Sequence, residues 1–304
     1  MKKPTLKICI TALGATKLEL EKIPEAIKIL ENDFDVLVWQ DIEAKDRFGS
    51  QSIGQRLKSL EWAFSDADIV MPWKGGFNSI ELLFDLAKLK FDSKTIFVGL
   101  SDNTLLSNAL PAKKICRGWQ GPSLSNYINS PENAGLYSKA LKSLYTGDYS
   151  GLTQLYNQTG VKVLRTGVMK GKIWGGNNYS FDLLQGTDFW PELSEPYILF
   201  MEGEDILKDQ EYLWRDFVRN IDSIMLQPGA KENLSGLIIG KFPETYKLDT
   251  DDLIVFTQSR QWLDGKPIVY DFPCGHIENS LYLPLGENVK IQVSSKNIFR
   301  MSKV

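Results

Sequence analysis

Several common features are scarce in this 304-residue sequence, and each absence narrows the range of functions. There are three cysteines, Cys9, Cys116 and Cys274, without a C-x-x-C pair, which argues against a disulfide framework or a cysteine-based metal site. Such cysteine usage is typical of a reducing compartment. Lysine and arginine are scattered among acidic residues, and the net charge is −3. The sequence therefore lacks the basic stripe of a nucleic-acid-binding protein.

Long apolar runs and a dinucleotide-binding fingerprint are also missing. The N-terminal run ICITALGA faintly resembles a signal peptide, but its apolar core is short and contains Thr11, so it is better interpreted as a first strand. With no long apolar segment elsewhere, we predict a soluble cytoplasmic protein with no membrane partner. No G-x-G-x-x-G pattern occurs, and we infer no dinucleotide cofactor.

What is present is an alternation of strand and helix patterns in the first half of the chain. Residues 6–11, 34–39 and 68–72 are predicted strands, and residues 18–31, interrupted near Pro24, and 52–64 are predicted helices. This β-α-β-α-β order predicts a parallel sheet wrapped by helices. Ligands of such sheets bind at the carboxyl ends of the strands.

The second half of the chain has a different composition. Residues 123–160 are rich in Ser, Asn, Gly and Tyr, with a helix pattern only around 134–145. We expect further strands at 197–201, 237–240 and 254–257 and an amphipathic helix at 205–224. Since the length also favours two domains, we predict an N-terminal domain at 1–125, a linker region at 126–160 and a C-terminal domain at 161–304.

Ser101 lies in the most informative stretch, where the apolar run of residues 95–98 breaks at Gly99 and a helical pattern follows. A tight strand-to-helix turn can hold a nucleophilic hydroxyl at the edge of a sheet. The alternative is that Ser101 or Asp102 only caps the helix. The stretch also lacks the second glycine of G-x-S-x-G, because Asn103 stands in its place.

The pair Gly75-Gly76 follows the predicted strand 68–72 and is expected at the same sheet edge as Ser101. Glycine lets the backbone approach a ligand closely, so the pair is a candidate oxyanion donor. A plain strand-to-helix turn explains the pair equally well.

His276 is the only histidine, and it follows a predicted strand within the segment Pro273-Cys274-Gly275-His276. A serine hydrolase needs one base with a near-neutral pKa, and this chain offers one imidazole. Glu202, directly after the strand at 197–201, is the candidate acid that orients the ring. Glu204 and Asp205 crowd the same stretch, where their alternative role is favourable charge in the first turn of the next helix.

Together these stretches resemble the LD-carboxypeptidase family of serine peptidases, which includes the microcin C immunity peptidases. The resemblance runs nearly end to end and is carried, in chain order, by residues 52–64 with Asp66, Lys74-Gly75-Gly76, Gly99-Leu100-Ser101-Asp102, Gly121-Pro122, Gly175-Gly176-Asn177, Phe200-Met201-Glu202, residues 236–240, Pro273-Cys274-Gly275-His276 and Leu283-Pro284-Leu285-Gly286.

The resemblance implies a fold and a set of roles. The fold is α/β, with an N-terminal flavodoxin-like, doubly wound parallel sheet and a second, smaller mixed α/β domain. Ser101 is the implied nucleophile, Glu202 the acid and His276 the base, with backbone N–H groups of Gly76 and Asp102 as oxyanion donors. No metal or other cofactor is implied. The implied substrate is a murein peptide that loses a terminal D-amino acid during cell-wall recycling, and the implied assembly is a homodimer.

Departures from the family pattern concern the substrate more than the reaction. Lys74 replaces the usual arginine before the glycine pair, Phe77 and Asn78 replace a tyrosine and a glycine, and Cys274 replaces a serine. The N-terminal segment also lacks the family's proline-serine opening. Candidate substrate-binding residues are Lys74, Trp174 and Asn177.

Two alternatives to the murein peptidase remain open. One is an immunity-type amidase acting on a peptidyl or aminoacyl nucleotide, with Trp174 or Trp119 stacking on the base. The more distant one is a non-catalytic two-domain protein that binds a ligand in the same cleft.

Overall fold

The computed structural model describes residues 6–14, 20–43, 51–86, 88–89, 94–204, 210–244, 250–296 and 298–304. Strands in these ranges are β1 (Lys7–Thr11), β2 (Asp35–Val38), β3 (Ile69–Pro72), β4 (Ile96–Gly99), β5 (Arg117–Gln120), β6 (Lys162–Arg165), β7 (Gly167–Asn177), β8 (Tyr197–Glu202), β9 (Leu234–Gly240), β10 (Ile268–Phe272), β11 (Leu283–Leu285), β12 (Asn288–Ser294) and β13 (Ile298–Lys303). Helices are α1 (Ile23–Leu30), α2 (Ile53–Asp66), α3 (Leu83–Leu86), α4 (Thr104–Ala112), α5 (Asn126–Asn129), α6 (Ala134–Thr146), α7 (Tyr149–Gln158), α8 (Asn178–Asp182), α9 (Gln210–Met225), α10 (Ala230–Asn233) and α11 (Thr250–Gln258). Short 3-10 turns include Leu20–Lys22, Ser79–Leu82, Ser101–Asn103, Pro131–Asn133 and Gln261–Leu263.

The first sheet has the strand order β11-β5-β4-β3-β1-β2. Strands β1 to β5 are parallel, and β11 is antiparallel on the β5 edge. Central residues such as Ile8, Val70 and Phe97 are fully buried, as expected for a parallel sheet covered by helices on both faces. The order β2-β1-β3-β4-β5 is that of flavodoxin-like sheets and confirms the predicted fold class.

The helices around this sheet begin where the sequence provides start signals. Ser52 and Gln55 form a reciprocal capping box at the start of α2, which confirms the helix predicted at 52–64. Pro24 was expected to interrupt the first helix, but it lies in the first turn of α1, where its missing N–H costs nothing. Residues 18 and 19 of that predicted helix lie outside the described residues.

The second sheet has the order β13-β12-β7-β8-β9-β10-β6 and is mixed. Strands β7, β8, β9 and β10 are parallel, and β12, β13 and β6 are antiparallel to their neighbours. The prediction of a strand at 254–257 is wrong, because these residues lie in α11. Leu253, Phe256 and Thr257 are the buried residues of that helix, and their spacing of three and four is helical.

Residues 126–160, expected to be a linker region with one helix around 134–145, contain three helices, α5, α6 and α7. The sequence did not predict α5 and α7. In α6, Lys142 pairs with Asp33, and the Tyr145 hydroxyl donates to Asp68 at 2.9 Å, which ties this helix to the first sheet. In α7, the Asn157 side chain exchanges two hydrogen bonds with the backbone of Phe299 in β13. The helices thus pack against both sheets.

Among the described helices, none has the length and apolar character needed to span a membrane.

Candidate active site

Ser101 occupies the junction between β4 and α4, in a 3-10 turn formed by Ser101–Asn103. Its φ is +58°, in the left-handed region that non-glycine residues rarely adopt. Such a conformation costs on the order of 1–3 kcal/mol and persists only where the surrounding structure imposes it. No side chain caps α4 at its N-cap position, so Ser101 and Asp102 do not have the capping role considered as the alternative.

The Asp102 side chain instead binds the neighbouring loop. Its Oδ2 accepts hydrogen bonds from the backbone N–H of Asn78 (3.0 Å) and from the backbone N–H (2.9 Å) and hydroxyl (2.7 Å) of Ser79. Burial raises the pKa of the Asp102 carboxyl, and the hydrogen bonds from Ser79 oppose that rise. Asn103 Nδ2 also donates to the carbonyl of Lys74 at 2.9 Å. The loop with the glycine pair is therefore fixed against the Ser101 turn from both ends.

Gly75 of this loop lies directly against Ser101. A Cβ atom added at Gly75 would lie 2.5 Å from Ser101 Cβ and 2.7 Å from Ser101 Oγ. No other residue type fits there without displacing the loop. Gly76, the predicted oxyanion donor, is the next residue of this loop, and Asp102, the other one, directly follows Ser101.

Glu202 and His276 come from the second sheet and form a direct pair. Glu202 ends β8 and is completely buried, and its Oε2 accepts from His276 Nδ1 at 2.8 Å. Gln120 Nε2, at the end of β5, lies 3.5 Å from the other carboxylate oxygen. Gly275 has a φ of +136°, and a Cβ there would lie 2.9 Å from Glu202 Oε2, so glycine lets the histidine loop close over the carboxylate.

Glu204 lies between the histidine and the serine. Its Oε2 is 3.0 Å from His276 Nε2 and accepts from Ser101 Oγ at 3.1 Å. The sequence interpretation could not separate Glu204 from Glu202 by spacing alone, and it did not predict that Glu204 would bridge the serine and the histidine. A signal was available: in the segment Glu202-Gly203-Glu204, residues two apart in extended chain point to the same side. Asp205 lies outside the described residues.

The two carboxylates shift the pKa of the ring between them. Burial alone would lower the pKa of His276, but the charges of Glu202 and Glu204 and their hydrogen bonds outweigh burial and raise this pKa to about 10. Burial would raise the pKa of Glu204, but His276 and Ser101 lower it below its ordinary value. The imidazole of His276 therefore lies between two acidic side chains that favour its protonated form.

Of the residues expected to bind substrate, the structure brings Asn177 to the site. Its Oδ1 caps α8 by accepting from Tyr179 N and Ser180 N, and its amide is near enough to Glu204 to help lower that pKa, although Nδ2 falls short of a full hydrogen bond. Lys74 is partly buried in the glycine loop.

The two tryptophans considered for base stacking lie in the core. Trp174 is 3% exposed and packs in the same apolar cluster as Phe181, and Trp119 is fully buried. The rings of β-strand tryptophans at these positions are enclosed by packing, so neither Trp174 nor Trp119 presents a face to a ligand.

Contacts between the two sheets hold the site together. Asn108 in α4 donates from Nδ2 to the carbonyl of Gly175 (2.7 Å) and accepts from the N–H of Gly175 (3.0 Å). Thr104 Oγ1 donates to Gln120 Oε1 at 3.0 Å and lies 3.3 Å from the backbone N of Asn177. These fully buried bonds hold α4, which follows β4, against the carboxyl ends of β5 and β7. In the described part of the chain, no group of three or more His, Cys, Asp or Glu side chains is arranged to hold a metal ion.

Comparisons with known proteins cover both halves of the chain. The sequence models of the LD-carboxypeptidase N-terminal and C-terminal domains match residues 8–121 and 170–291. YocD of Bacillus subtilis, provisionally named a carboxypeptidase, is 28% identical over 312 residues, covering 95% of this chain and 94% of its own. The microcin C7 self-immunity protein MccF of Escherichia coli is 26% identical over 283 residues, covering 83% of this chain and 80% of its own.

Solved structures share the whole fold. An MccF-like protein from Bacillus anthracis superimposes with a TM-score of 0.82 at 25% identity, covering 99% of this chain and 98% of its own. An MccF-like protein from Streptococcus pneumoniae in complex with AMP gives 0.76 at 19% identity, covering 99% of each chain. A muramoyltetrapeptide carboxypeptidase from Oxalobacter formigenes gives 0.71 at 22% identity, covering 97% of each.

The two domain matches together span most of the sequence, in the same order as in the fold. The chain therefore belongs to the LD-carboxypeptidase family and is a hydrolase of the serine carboxypeptidase type.

Proposed function

We propose that this protein is an LD-carboxypeptidase that removes a terminal D-amino acid from a murein peptide, with Ser101, His276 and Glu202 as its catalytic triad. One observation carries the proposal: the Glu202–His276 pair, joined at 2.8 Å, and the strained Ser101 turn of the other sheet converge on one atom, Glu204 Oε2, which is 3.0 Å from His276 Nε2 and 3.1 Å from Ser101 Oγ. A nucleophile, a base and an acid that orients the base are the groups that acyl transfer requires.

In the proposed reaction, Ser101 Oγ attacks the carbonyl carbon of the scissile amide while neutral His276 Nε2 accepts the hydroxyl proton. Glu202 holds the Nδ1–H tautomer and stabilises the imidazolium that forms. The backbone N–H groups of Gly76 and Asp102 donate to the oxyanion, a contribution typically worth about 10²- to 10³-fold in kcat per donor. Collapse of the intermediate, with proton transfer from His276 to the leaving nitrogen, releases the D-amino acid and leaves an acyl ester on Ser101.

Water then attacks the ester while His276 accepts one of its protons, and His276 returns that proton to Ser101 Oγ as the ester bond breaks, so that the acyl product is released as a carboxylic acid. His276 Nε2 must be free of Glu204 in both half-reactions, because an imidazolium that already donates to a carboxylate cannot accept a proton.

The murein substrate is supported by the family and by the fold shared with a muramoyltetrapeptide carboxypeptidase. The alternative, an immunity-type amidase acting on a peptidyl or aminoacyl nucleotide, is supported by the resemblance to MccF and by the AMP bound to an MccF-like protein. The burial of Trp174 and Trp119 favours the murein peptide, because neither ring is placed to stack on a base.

The experiment is direct. The protein is incubated separately with a murein tetrapeptide and with an aminoacyl sulfamoyl adenosine, and the products are identified by mass spectrometry, with Ser101→Ala as the control. Release of the terminal D-amino acid supports the proposal, cleavage of the sulfamoyl adenosine alone supports the amidase, and no turnover of any amide supports a non-catalytic binding protein.

The proposal includes a role in peptidoglycan recycling by a cytoplasmic homodimer. Light scattering coupled to gel filtration tests the dimer, and a mass corresponding to one chain would contradict it. Fractionation of the source cells tests the compartment.

A further inference from the structure

Glu204 makes an unusual contact for a carboxylate beside a serine nucleophile. A single oxygen atom, Oε2, is 3.1 Å from Ser101 Oγ and 3.0 Å from His276 Nε2. Ser101 Oγ and His276 Nε2, which interact with each other in a working triad, are both directed to this one oxygen atom. Ser101 and His276 consequently make no hydrogen bond with each other in this arrangement.

Glu204 Oε2 lies where the proposed reaction would form an oxygen of the product carboxylate. In the last step of the proposed reaction, water adds to the acyl ester, and the intermediate collapses as His276 returns the proton to Ser101 Oγ. The carboxylic acid product then gives its own proton to His276, so a carboxylate lies between the Ser101 hydroxyl and the protonated ring. A carboxylate oxygen that accepts from Ser101 Oγ–H and from His276 Nε2–H is the group that this step generates. Glu204 presents the same group with the same charge.

We propose that the space between Ser101 Oγ and His276 Nε2 is a carboxylate-binding subsite, which Glu204 fills in the free enzyme and the carboxylate of the acyl product fills after hydrolysis. The inference rests on the proposed function, since it takes Ser101 and His276 as nucleophile and base. Glu204 then competes with the product and helps to expel it, and an entering substrate must displace Glu204 before His276 can act.

The groups around the subsite favour an anion next to the ring and limit where Glu204 can move. His276 faces the subsite, with Glu202 on its far side. Burial raises the pKa of the Tyr179 hydroxyl in α8, the nearby carboxylates of Asp216 in α9 and of Glu204 raise it further, and Arg219 acts in the opposite direction. The Asn177 side chain also lies near Glu204 and lowers the pKa of that carboxyl.

The test uses the chain's single histidine. Because there is one imidazole, one set of ring resonances reports the titration of His276 in the full-length, untagged protein. We expect the midpoint far above the ordinary value in the wild-type enzyme. In Glu204→Ala it falls by roughly one pH unit or more, because one of two facing negative charges is gone.

Acetate is the probe for the vacated subsite. We expect millimolar acetate to raise the His276 titration midpoint of Glu204→Ala back toward that of the wild-type enzyme and to leave the wild-type midpoint unchanged. Glu192→Gln is the matched control, because Glu192 is an exposed carboxylate whose described hydrogen bond is with Ser194, and its midpoint equals that of the wild type. Glu204→Gln removes the charge with less loss of volume and serves if Glu204→Ala folds poorly.

Three results would overturn the inference. They are a His276 titration midpoint near the ordinary value of 6.5 in the wild-type enzyme, a midpoint that is the same in Glu204→Ala as in the wild type, or a midpoint of Glu204→Ala that acetate does not change. These readouts require no turnover. If instead Ser101→Ala keeps full activity, the proposed function fails whatever the titration shows.

Kinetics give a second readout. The pH profile of kcat/KM reports ionisations of the free enzyme and that of kcat reports the substrate complex. With Glu204 displaced by substrate, the acid limb of kcat lies at lower pH than the acid limb of kcat/KM in the wild-type enzyme. In Glu204→Ala the two limbs converge, and limbs that stay equally separated in both proteins would contradict the displacement.

Discussion

At the scale of single residues, the site depends on close contacts that leave no room for larger side chains. Ser101 is held at a φ of +58° with Gly75 packed against its Cβ, and Glu202 is covered by Gly275. The hydrogen bonds that Asp102 accepts from the backbone N–H groups of Asn78 and Ser79 keep the loop in place. These contacts fix Ser101 relative to the loop, and fixed geometry of this kind is what an oxyanion site of the proposed type requires.

Gly75→Ala tests the contact between the loop and the nucleophile. The new Cβ would lie 2.5 Å from Ser101 Cβ, so the loop must shift, and we expect kcat/KM to fall by about 10²-fold or more, as for a small misplacement of reacting groups. Gly54→Ala is the control, because a Cβ there meets nothing within 4 Å. Equal activity of the two variants would show that the loop tolerates the shift.

Glu202→Gln tests the buried acid. An amide cannot stabilise the imidazolium and favours the wrong tautomer, so we expect kcat to fall on the order of 10⁴-fold, as in other triads. The NMR midpoint of His276 should also decrease, because the negative partner at Nδ1 is gone. Glu192→Gln should retain wild-type kinetics, and a Glu202→Gln enzyme with similar kinetics would remove Glu202 from the triad.

The residues that the structure brings together at the candidate site were predictable from the sequence only where few candidates existed. A single histidine and a serine at a strand-to-helix break left little choice. Glu204 could not be distinguished from Glu202 by spacing, and its contact with Ser101 was not predictable because a sequence does not show which side chains turn back toward a site. The burial of Trp174 was equally invisible, since an aromatic residue beside glycines can lie in a core or a cleft.

At the scale of elements, α4 is the joint between the two sheets. Asn108, fully buried in this helix, satisfies both the N–H and the carbonyl of Gly175 in β7. Because the strands end at this joint, its geometry decides how far Ser101 lies from His276.

Asn108→Ala should therefore destabilise the protein. It leaves two buried backbone groups without partners, each worth about 1–3 kcal/mol, and we expect a loss on the order of 3 kcal/mol in the free energy of unfolding by urea denaturation. Asn32→Ala, which removes an exposed side-chain bond to the carbonyl of Ile29, should cost far less. A loss at Asn108 no larger than at Asn32 would mean that the joint relaxes or admits water.

Helices and strands were predictable where the periodicity of the apolar residues agreed with the residues that signal the start or end of an element. The capping box of α2 and the apolar β-branched run of β4 belong to this class. The misassigned residues 254–257 show the opposite case, because four apolar and β-branched residues fit a short strand and one face of a helix equally well. The burial of Leu253 just before them decides for the helix, and that burial arises from tertiary packing.

At the scale of the whole molecule, the chain returns to its first sheet near its end. Strand β11 pairs antiparallel with β5 of the first sheet, whereas the preceding strand, β10, belongs to the second sheet. His276 lies in the segment that connects β10 to β11. No local sequence signal distinguishes this return from another strand of the second sheet. This return from the second sheet to the first nevertheless explains why residues from distant parts of the chain share one site.

The titration of this site should appear in global stability. The pKa of His276 is raised above its unfolded value, so its contribution is complete below pH 6.5 and is lost as the pH rises through about 10. The pKa of Glu204 is lowered, so its contribution is complete above its unfolded value of 4.5 and is lost as the pH falls through the lower folded value.

The difference in Tm between the wild-type protein and Glu204→Gln should consequently be largest between about pH 4.5 and 6.5 and decrease toward pH 10. Differential scanning calorimetry across this range measures it. A difference that stays constant with pH would mean that Glu204 and His276 do not interact in solution.

The central claim is that Ser101 is the nucleophile of a serine carboxypeptidase, and turnover by Ser101→Ala tests it most directly. With murein tetrapeptide as substrate, we expect kcat to fall on the order of 10⁴- to 10⁶-fold, while the thermal transition and substrate affinity stay close to those of the wild-type enzyme. Ser65→Ala, which removes an exposed hydroxyl from α2, should be fully active. Wild-type turnover by Ser101→Ala would contradict the account.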